Sequence, residues 1–405
     1  MSCKRTARRP PRQLRVGLDS LAFGGDAVGR DDDGRVVFVP GGAPGDTVLV
    51  TVEEEKKGYS RGALERILRP GPSRVEAPCP RYLEGCGGCQ WQHVDLETQR
   101  AAKGDIVRRA LRHAGGEVAA TQAPAPGFGW RRRARLRFRR GVLGYLERRS
   151  HRLVDVDRCP QLEPPLEQAL VAVRAVVPTD GSGEVELLLT GRGEVHVVFS
   201  TPIPGAAGLV GAAGIAGVVT GDATFGAERV DLADEEVPFW ARADVFAQAS
   251  AAGNLALRRL VLEAAGPLAG RRVLELFAGS GNFTRDLARE AAEVVAVEEA
   301  PAAVALAHDN LAARGLTAEL RAEPAERSLG GRFDLIVVDP PRVGLAPELC
   351  AALATQACPI VYVSCDPNTL ARDIQLLGRR VERAIPLDLM PQTFHIEVVA
   401  NLASP

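Results

Sequence analysis

A cysteine stands at a point in the sequence where a thiol could react. Cys365 follows the apolar run IVYVS at 360–364 and precedes a polar Asp-Pro turn. If the run forms a strand of a parallel sheet, its end lies at the edge where such sheets bind ligands. A thiolate at that edge could add covalently to an electron-poor carbon of a substrate. We therefore interpret Cys365 as a nucleophile, and Cys350 and Cys358 as small core residues.

A reaction of this kind also needs a proton acceptor, and the last apolar run of the chain contains one. Addition of a thiolate to one carbon of a conjugated substrate makes a neighbouring carbon nucleophilic enough to take up an electrophilic group, after which that carbon must lose its proton. Glu397 lies in the run FHIEVV, where burial would raise its pKa toward neutrality. His395 is the alternative base, and we prefer Glu397.

A glycine-containing loop provides a candidate cofactor site. In the run ELFAGSGNF at 275–283, two glycines allow a tight turn and close approach of a ligand. The loop lacks the GK[ST] of a phosphate loop and the third glycine of a dinucleotide fingerprint. Glu298 ends the next apolar run and could accept both hydroxyls of a ribose, and Asp339 begins an Asp-Pro-Pro sequence farther along. This combination favours S-adenosylmethionine over a nicotinamide cofactor.

The Asp-Pro-Pro sequence has a second interpretation. Enzymes that methylate exocyclic amines of bases use such a clamp, and it usually carries an aromatic residue next, which stacks on the base. Arg342 occupies that place here, which weakens the amine interpretation. An amine methyltransferase would not need Cys365, so its activity would survive replacement of that cysteine.

Three of the eight cysteines lie close together in the sequence, and this predicts a metal site. Cys79, Cys86 and Cys89 are separated by six and by two residues, and Cys159 is the best candidate for a fourth ligand. Four thiolates suit a tetrahedral zinc ion or an iron–sulfur cluster, and the spacing alone leaves the two about equal. A disulfide would leave the third cysteine unexplained.

The elements that position these residues fall into three predicted domains. Residues 12–70 contain short apolar runs separated by Gly, Pro and Asp turns, which predict an OB-like β-barrel. Residues 71–240 predict an α+β middle domain with a helix at 94–114, strands at 184–190 and 194–200, and a Gly-Ala loop at 205–217. Residues 241–405 alternate between buried strands and helices, which predicts a Rossmann-like domain with a parallel sheet. The fold class is therefore multidomain α/β.

The charge distribution indicates a nucleic-acid partner more than the total does. The net charge is only −1, but residues 130–140 read WRRRARLRFRR, in which arginines alternate with apolar residues as on a strand with one basic face. That face could bind phosphate or simply be solvated. No apolar run could span a membrane, and the basic amino terminus lacks the apolar core of a signal peptide, so we expect a cytoplasmic protein.

Several segments together resemble one family, the RNA uracil-C5 methyltransferases, in the branch with an amino-terminal TRAM barrel and a [4Fe-4S] cluster. The resemblance covers nearly the whole chain. The barrel segment GDAVGRDDDGRVVFVPGGAPGDTV looks like a TRAM domain, and CPRYLEGCGGCQWQH with SHRLVDVDRCPQL resembles the cluster segments. The runs ELFAGSGNFT, DPPRVG, SCDPNTLARD and DLMPQTFHIEVVANL resemble the signatures of the class I methyltransferase domain.

The resemblance implies a role for each matching residue. Cys365 would be the nucleophile and Glu397 the base. The residues that would contact S-adenosylmethionine are Gln248, Phe277, Asn282, Glu298 and Asp339. The residues that would hold the [4Fe-4S] cluster are Cys79, Cys86, Cys89 and Cys159. Two departures from the family pattern are the gap before Cys86, which is one residue longer than usual, and Asp366 in place of a common asparagine.

The resemblance further implies an S-adenosylmethionine-dependent enzyme, which we expect to be a monomer, that methylates C5 of a specific uridine in RNA, through a covalent bond from cysteine to C6. Most members of this branch act on ribosomal RNA, so 23S rRNA is the preferred substrate, and transfer RNA is the alternative. Two rival functions remain, the amine methyltransferase and a non-enzymatic iron–sulfur protein that binds RNA through the barrel and the arginine strand. The rival without enzymatic activity would leave S-adenosylmethionine unconsumed.

Overall fold

A computed structural model describes residues 12–232 and 237–405. The basic segment at the amino terminus lies mostly outside the described residues. The chain forms two compact units. The first comprises the described part of Met1–Pro78 with Cys89–Ala102 and Gln392–Phe394, and the second comprises Cys79–Gly88, Lys103–Pro391 and His395–Pro405. The three domain boundaries, 12–70, 71–240 and 241–405, stay a prediction.

A closed five-stranded barrel forms at the beginning of the described chain, as the turn-separated apolar runs predict. Its strands are β1 (Gln13–Leu21), β2 (Ala27–Arg30), β3 (Val36–Val39), β4 (Thr47–Glu55) and β5 (Tyr59–Arg69). They follow the order β1-β2-β3-β5-β4. Alternate side chains such as Val16 and Leu18 point inward and are buried, because successive residues of a strand face opposite sides.

The middle region is built on a seven-stranded sheet with order β13-β12-β11-β10-β7-β8-β9. Its helices and its early strands are α1 (Pro80–Leu83), α2 (Leu96–Ala110), β6 (Glu117–Val118), β7 (Arg133–Arg139), β8 (Val142–Leu146), β9 (Leu153–Asp155) and α3 (Pro164–Arg174). The later strands are β10 (Ser182–Leu189), β11 (Val195–Phe199), β12 (Ile215–Thr220), β13 (Ala223–Gly226), β14 (Val230–Asp231) and β15 (Trp240–Ala241).

The loop predicted for the Gly-Ala stretch at 205–217 is partly wrong. Two short 3₁₀ turns, Ala206–Leu209 and Ala212–Gly214, lead into β12, which begins at Ile215 and pairs in parallel with β11. Ile215 and Val218 are buried in the core of the sheet. Part of this low-complexity stretch is therefore the start of a buried strand, which pairs with the neighbouring strand β11.

The carboxyl-terminal region has the alternating architecture that the sequence predicts. Its elements are α4 (Ala251–Ala265), β16 (Arg272–Leu276), α5 (Thr284–Glu290), β17 (Glu293–Val297), α6 (Pro301–Ala312), β18 (Glu319–Arg321), β19 (Leu335–Val338), α7 (Pro347–Ala354), β20 (Ile360–Ser364), α8 (Pro367–Leu377), β21 (Val381–Leu387) and β22 (Glu397–Leu402). The eight-stranded sheet has the order β18-β17-β16-β19-β20-β22-β21-β6. Only β22 runs antiparallel to its neighbours.

The strand order brings the carboxyl ends of β16, β19 and β20 side by side, since these strands pair in parallel. The predicted cofactor loop, Asp339 and Cys365 follow those three ends directly. Because β22 is antiparallel to β20, its first residue, Glu397, lies at the same edge. None of the helices in residues 12–232 and 237–405 is long and apolar enough to cross a membrane.

A fully buried ion pair fixes the segment that leads to this edge. The Nζ atom of Lys103 lies 2.5 Å from Oδ1 of Asp388 and donates to the carbonyl oxygen of Met390 at 3.2 Å. Neither side chain of the pair is exposed. Removal of one partner leaves a buried charge uncompensated, and this typically destabilises a protein by about 3–5 kcal/mol.

We therefore expect Lys103→Met to lower the free energy of unfolding by about 3–5 kcal/mol, as measured by urea denaturation followed by circular dichroism. Arg108→Met is the matched control, because Arg108 lies on the same helix and forms an exposed pair with Asp105. Exposed pairs contribute little, so the control should lose only a small fraction of that free energy. Equal losses in both variants would contradict the assigned role of the buried pair.

Candidate active site

The backbone around Cys365 is held by its two neighbours. Ser364 is the last residue of β20, and its Oγ donates to the carbonyl oxygen of Asp366 at 3.1 Å. Asp366 is the N-cap of α8, and its Oδ1 accepts hydrogen bonds from the backbone N–H groups of Asn368 at 2.9 Å and Thr369 at 3.1 Å. The half-buried thiol is thus presented between a strand end and a capped helix.

This geometry would suit asparagine as well as aspartate at this position, because both side chains are good N-caps. We expect Asp366→Ala to cost about 1 kcal/mol of stability, measured by urea denaturation, and Asp366→Asn to cost much less. If Asp366→Asn were as destabilising as Asp366→Ala, the side chain would have a role other than capping.

Four charged or titratable groups influence one another at this edge of the sheet. Burial, and then the carboxylate of Glu397, raise the pKa of the Cys365 thiol to about 11, whereas the Arg342 guanidinium acts in the opposite direction. Burial and the Asp339 carboxylate raise the pKa of Glu397 well above its usual value. Burial also raises the pKa of Asp339 to about 7. The predicted nucleophile and the predicted base therefore lie close enough to interact.

The two candidate bases differ sharply in their environment. Burial and then the positive charge of Arg342 lower the pKa of His395 to about 3, so this imidazole is a weak proton acceptor. Nη2 of Arg342 lies 3.1 Å from its Nδ1. Glu397 is buried at the start of β22, and the direction of its pKa shift is the one that its apolar strand predicts. These environments favour Glu397 as the base.

The glycine loop is anchored to the next strand by Glu298. Its Oε2 accepts the backbone N–H of Gly279 at 3.0 Å, and its Oε1 accepts the backbone N–H of Ala300 at 2.9 Å. Each carboxylate oxygen keeps a further lone pair that a ribose hydroxyl could use. Phe277 begins the turn with a φ of 65°, a left-handed conformation that is uncommon outside glycine. The loop therefore combines a strained start with a rigid acidic support.

Asn282 is also held in place, by Asn254, for which the sequence predicted no role. Its Nδ2 donates to Oδ1 of Asn254 at 2.8 Å, and Nδ2 of Asn254 donates back at 3.0 Å. Gln248 is half-buried on the segment between β15 and α4. Its side chain forms no hydrogen bond within the part of the chain that the structure describes. Glu298 and Asn282 are thus fixed before any ligand binds, whereas Gln248 is not.

Glu275 is a second residue of this region for which the sequence predicted no role. It is buried in β16, and burial raises its pKa to about 8. An acidic residue inside an apolar strand that leads into a glycine loop is the signal that could have identified it. The role of Arg342 next to His395 had no such signal, because the two residues are far apart in sequence.

Three of the four predicted cluster ligands lie near one another in the second unit. Burial raises the pKa of Cys86 to about 11, and the neighbouring thiols of Cys159 and Cys79 contribute in the same direction. Cys79 and Cys86 are buried and Cys159 is partly exposed, whereas Cys89 belongs to the first unit. Among the described residues, no group of three or more His, Cys, Asp or Glu is arranged to hold a single metal ion.

The arginine strand has the alternation that the sequence predicts, but its charges are largely compensated. On β7, Arg133 and Arg135 both bind Glu186 of β10, at 2.7 Å and 2.5 Å, and Arg137 binds Glu184 at 2.9 Å. The exposed face is therefore a row of ion pairs rather than a bare cationic surface. That this face binds RNA stays a prediction.

Family models match two ends of the chain and part of the methyltransferase region. The model described as "tRNA (Uracil-5-)-methyltransferase" matches residues 330–404, the TRAM domain model matches residues 11–64, and "Conserved hypothetical protein 95" matches residues 259–364. The first match contains Cys365 and Glu397, and the second covers most of the barrel. The predicted TRAM barrel is thereby confirmed.

Relatives match along nearly the whole chain. An uncharacterized RNA methyltransferase of Gloeobacter violaceus is 35% identical, with 96% of this chain and 95% of the relative covered. The 23S rRNA (uracil(1939)-C(5))-methyltransferase RlmD of Pectobacterium atrosepticum is 32% identical, with 96% and 94% covered.

A crystal structure resembles this one over almost its full length. The tRNA (uracil-54, C5)-methyltransferase of Pyrococcus abyssi, in complex with S-adenosyl-L-homocysteine, is 26% identical and has a TM-score of 0.76, with 96% of this chain and 99% of that chain covered. The predicted fold class, with a small barrel and a class I methyltransferase domain, is confirmed. With identities of 32–35% over nearly all of its length, the chain belongs to the family of RNA uracil-C5 methyltransferases.

Proposed function

We propose that this protein transfers a methyl group from S-adenosylmethionine to C5 of a uridine in 23S rRNA, through a covalent adduct with Cys365. The observation that carries the proposal is the interaction of Cys365 with Glu397 at the carboxyl edge of the sheet, next to Asp339 and Arg342. A thiol and a carboxyl group that influence each other electrostatically at one edge of the sheet are the two groups that methylation of an unreactive C5 atom requires.

The chain's own residues perform the following steps. The Cys365 thiol releases its proton to solvent, and the thiolate bonds to C6 of the uracil, so that electron density moves to C5. S-adenosylmethionine would supply the methyl group that C5 takes up and would leave as S-adenosylhomocysteine. The Glu397 carboxylate then accepts the C5 proton, the C6–sulfur bond breaks, and the thiolate is restored. The guanidinium of Arg342 favours the thiolate, because it lowers the pKa of Cys365 against the effect of burial.

The residues that we propose to hold S-adenosylmethionine are Gln248, Phe277, Asn282, Glu298 and Asp339. Support comes from the carboxylate of Glu298, which is fixed beneath the glycine loop with lone pairs to spare for two hydroxyl groups. Ligands of open α/β sheets bind beyond the carboxyl ends of the strands, where Phe277 and Asn282 follow β16, Glu298 follows β17 and Asp339 follows β19.

Ribosomal RNA is the preferred substrate because the RlmD relatives, which are named for 23S rRNA, are 32–34% identical to this chain, whereas the solved tRNA enzyme is 26% identical. The alternative is a uridine of tRNA. The target base must leave its stack to reach a thiol at a sheet edge, as in other enzymes that react with bases.

The test is methyl transfer from labelled S-adenosylmethionine to transcripts of 23S rRNA segments and of tRNAs, followed by digestion and nucleoside analysis. We expect label in one 23S rRNA segment, as 5-methyluridine. Label in tRNA alone would show that the substrate is tRNA and would leave the proposed reaction unchanged. A methylated exocyclic amine as product would refute the C5 mechanism, and RNA binding without any transfer would favour the non-enzymatic rival.

We also propose that Cys79, Cys86, Cys89 and Cys159 hold a [4Fe-4S] cluster. Three of the thiols influence one another electrostatically, and the backbone N–H of Gly88 donates to the Cys86 sulfur, a bond that is common in iron–sulfur sites. Cys89 follows Cys86 by only three residues in the sequence. The ligands of a cubane cluster bind different iron atoms, so they lie farther apart than the ligands of a single ion.

The cluster, when bound, would link distant parts of the chain, and no step of methyl transfer is assigned to it. Iron and sulfide analysis after anaerobic purification tests the proposal. We expect both elements in the wild-type protein and their loss in Cys86→Ser. If zinc is found instead of iron and sulfide, the four thiolates bind a zinc ion and the proposed cluster is refuted.

A further inference from the structure

We propose that Arg148 donates hydrogen bonds to sulfur atoms of the iron–sulfur cluster and thereby raises the reduction potential of the cluster. The inference rests on the proposed [4Fe-4S] cluster and adds a positioning and tuning residue that is not a ligand. It concerns a cation that the methyl-transfer mechanism does not use.

The backbone places Arg148 next to the loop that carries the thiols. Cys86 forms an isolated antiparallel bridge with Glu147, and the backbone N–H of Gly87 donates to the carbonyl oxygen of Leu146 at 2.9 Å. The backbone N–H of Arg148 donates to the carbonyl oxygen of Gly85 at 3.1 Å. The hairpin of β8 and β9 therefore runs alongside the cysteine loop, and Arg148 is fixed to it at the backbone.

The guanidinium is held in place and lacks an acceptor. Its carbon lies 4.2 Å from the centre of the Tyr82 ring, a distance typical of a cation–π contact. Its Nε and Nη2 atoms are buried without any hydrogen-bond partner among the described residues. A buried charged donor without an acceptor is unfavourable, so the arrangement calls for an anion at this position.

A cluster held by the thiols of this loop would supply the missing acceptors. Arg148 lies beside Cys86 along the backbone, because Cys86 pairs with Glu147 and the backbone N–H of Arg148 donates to Gly85. The nearby carboxylates are already engaged, because Glu147 binds Arg152 at 2.6 Å and Glu84 binds Arg81 at 2.7 Å. With four thiolate ligands the cluster carries net negative charge, and its sulfur atoms accept hydrogen bonds.

Hydrogen bonds and positive charge near the sulfur atoms favour the reduced cluster, because reduction adds negative charge. Loss of the Arg148 guanidinium should therefore make the reduction potential more negative. We expect Arg148→Met, which keeps the length of the side chain without its charge, to reduce the equilibrium constant for reduction about tenfold, or about 59 mV for a one-electron couple.

The experiment is a redox titration of the anaerobically purified full-length protein, followed by electron paramagnetic resonance, with iron content measured on the same samples. Arg152→Met is the matched control, because it removes an exposed arginine of the same hairpin that binds Glu147. The expected result is a negative shift in Arg148→Met and none in the control. Equal potentials in the wild type and in Arg148→Met, at equal iron content, would overturn the proposal.

If Arg148→Met does not fold, Arg148→Lys decides. It keeps the positive charge and loses the Nε donor, so a smaller negative shift is expected, and an unchanged potential overturns the hydrogen bonds. A wild-type protein without iron, purified anaerobically, would refute the cluster itself, and the inference would fall with it. The methyl-transfer assay would still stand, because it tests Cys365 and Glu397 independently.

Discussion

Replacement of Cys365 by alanine is expected to abolish methyl transfer, with a loss of about 10⁴-fold or more, since loss of a covalent nucleophile removes the whole pathway. The measurement is transfer of labelled methyl from S-adenosylmethionine to the substrate RNA under single-turnover conditions. Cys358→Ala is the matched control, because Cys358 is a buried cysteine just before β20. That variant should keep nearly full activity.

The covalent step has its own test with RNA that contains 5-fluorouridine. Fluorine at C5 cannot leave as a proton, so the reaction should stall with the protein bound to RNA, and the complex should survive a denaturing gel. Cys365→Ala should give no such complex, whereas Cys358→Ala should. A complex of undiminished yield in Cys365→Ala would assign the nucleophile to another residue.

Replacement of Glu397 by glutamine should slow turnover by about 10²–10⁴-fold, the usual contribution of a general base. Because glutamine has the same shape and cannot accept the C5 proton, addition and methyl transfer should still occur and elimination should fail. The variant should therefore accumulate a methylated protein–RNA complex even with ordinary uridine. Denaturing gels with labelled S-adenosylmethionine would detect it.

His395→Gln provides the contrast. If His395 were the base, this variant would accumulate the complex and Glu397→Gln would not. The low pKa of His395 and its contact with Arg342 lead us to expect a smaller effect on the rate and no trapped complex.

The pH dependence follows from the same two groups. Glu397 must be ionised to accept a proton, and burial and Asp339 raise its pKa, so the rate is lost as the pH falls through that raised value. Cys365 must also ionise, and its pKa is raised to about 11 in the protein without ligands. Both groups predict that kcat/KM increases with pH from the acidic side. In Glu397→Gln, the rise of the residual rate with pH should follow the ionisation of Cys365 alone.

Local patterns were enough to predict much of the fold. The near-continuous apolar runs became β16, β17, β19, β20 and β22, because a strand buried on both faces has to be apolar throughout. The alternation of β7 was also readable, since one face packs on the core and the other does not. Elements stabilised by distant partners were not predicted. The two-residue strand β6, for example, exists through its pairing with β21.

Residues of the candidate site were likewise predicted where a local sequence pattern marks them and missed where they depend on tertiary contacts. Cys365, Glu397 and Asp339 were identified because each follows or begins an apolar run that ends at the sheet edge. The pairing of Asn254 with Asn282 was not, because it joins the first turn of a helix to a loop 28 residues away. Compensation of the arginine face by Glu184 and Glu186 was missed for a similar reason, since the register between two strands is a tertiary property.

The raised pKa of Cys365 also bears on how the protein withstands oxidants and electrophiles. Peroxides and alkylating agents react with the thiolate, and a thiol with a pKa of about 11 is almost wholly neutral near pH 7. The half-buried sulfur therefore reacts slowly with such agents in the protein without substrate. In the protein without RNA, the proposed nucleophile is thus kept in a form that hydrogen peroxide attacks slowly.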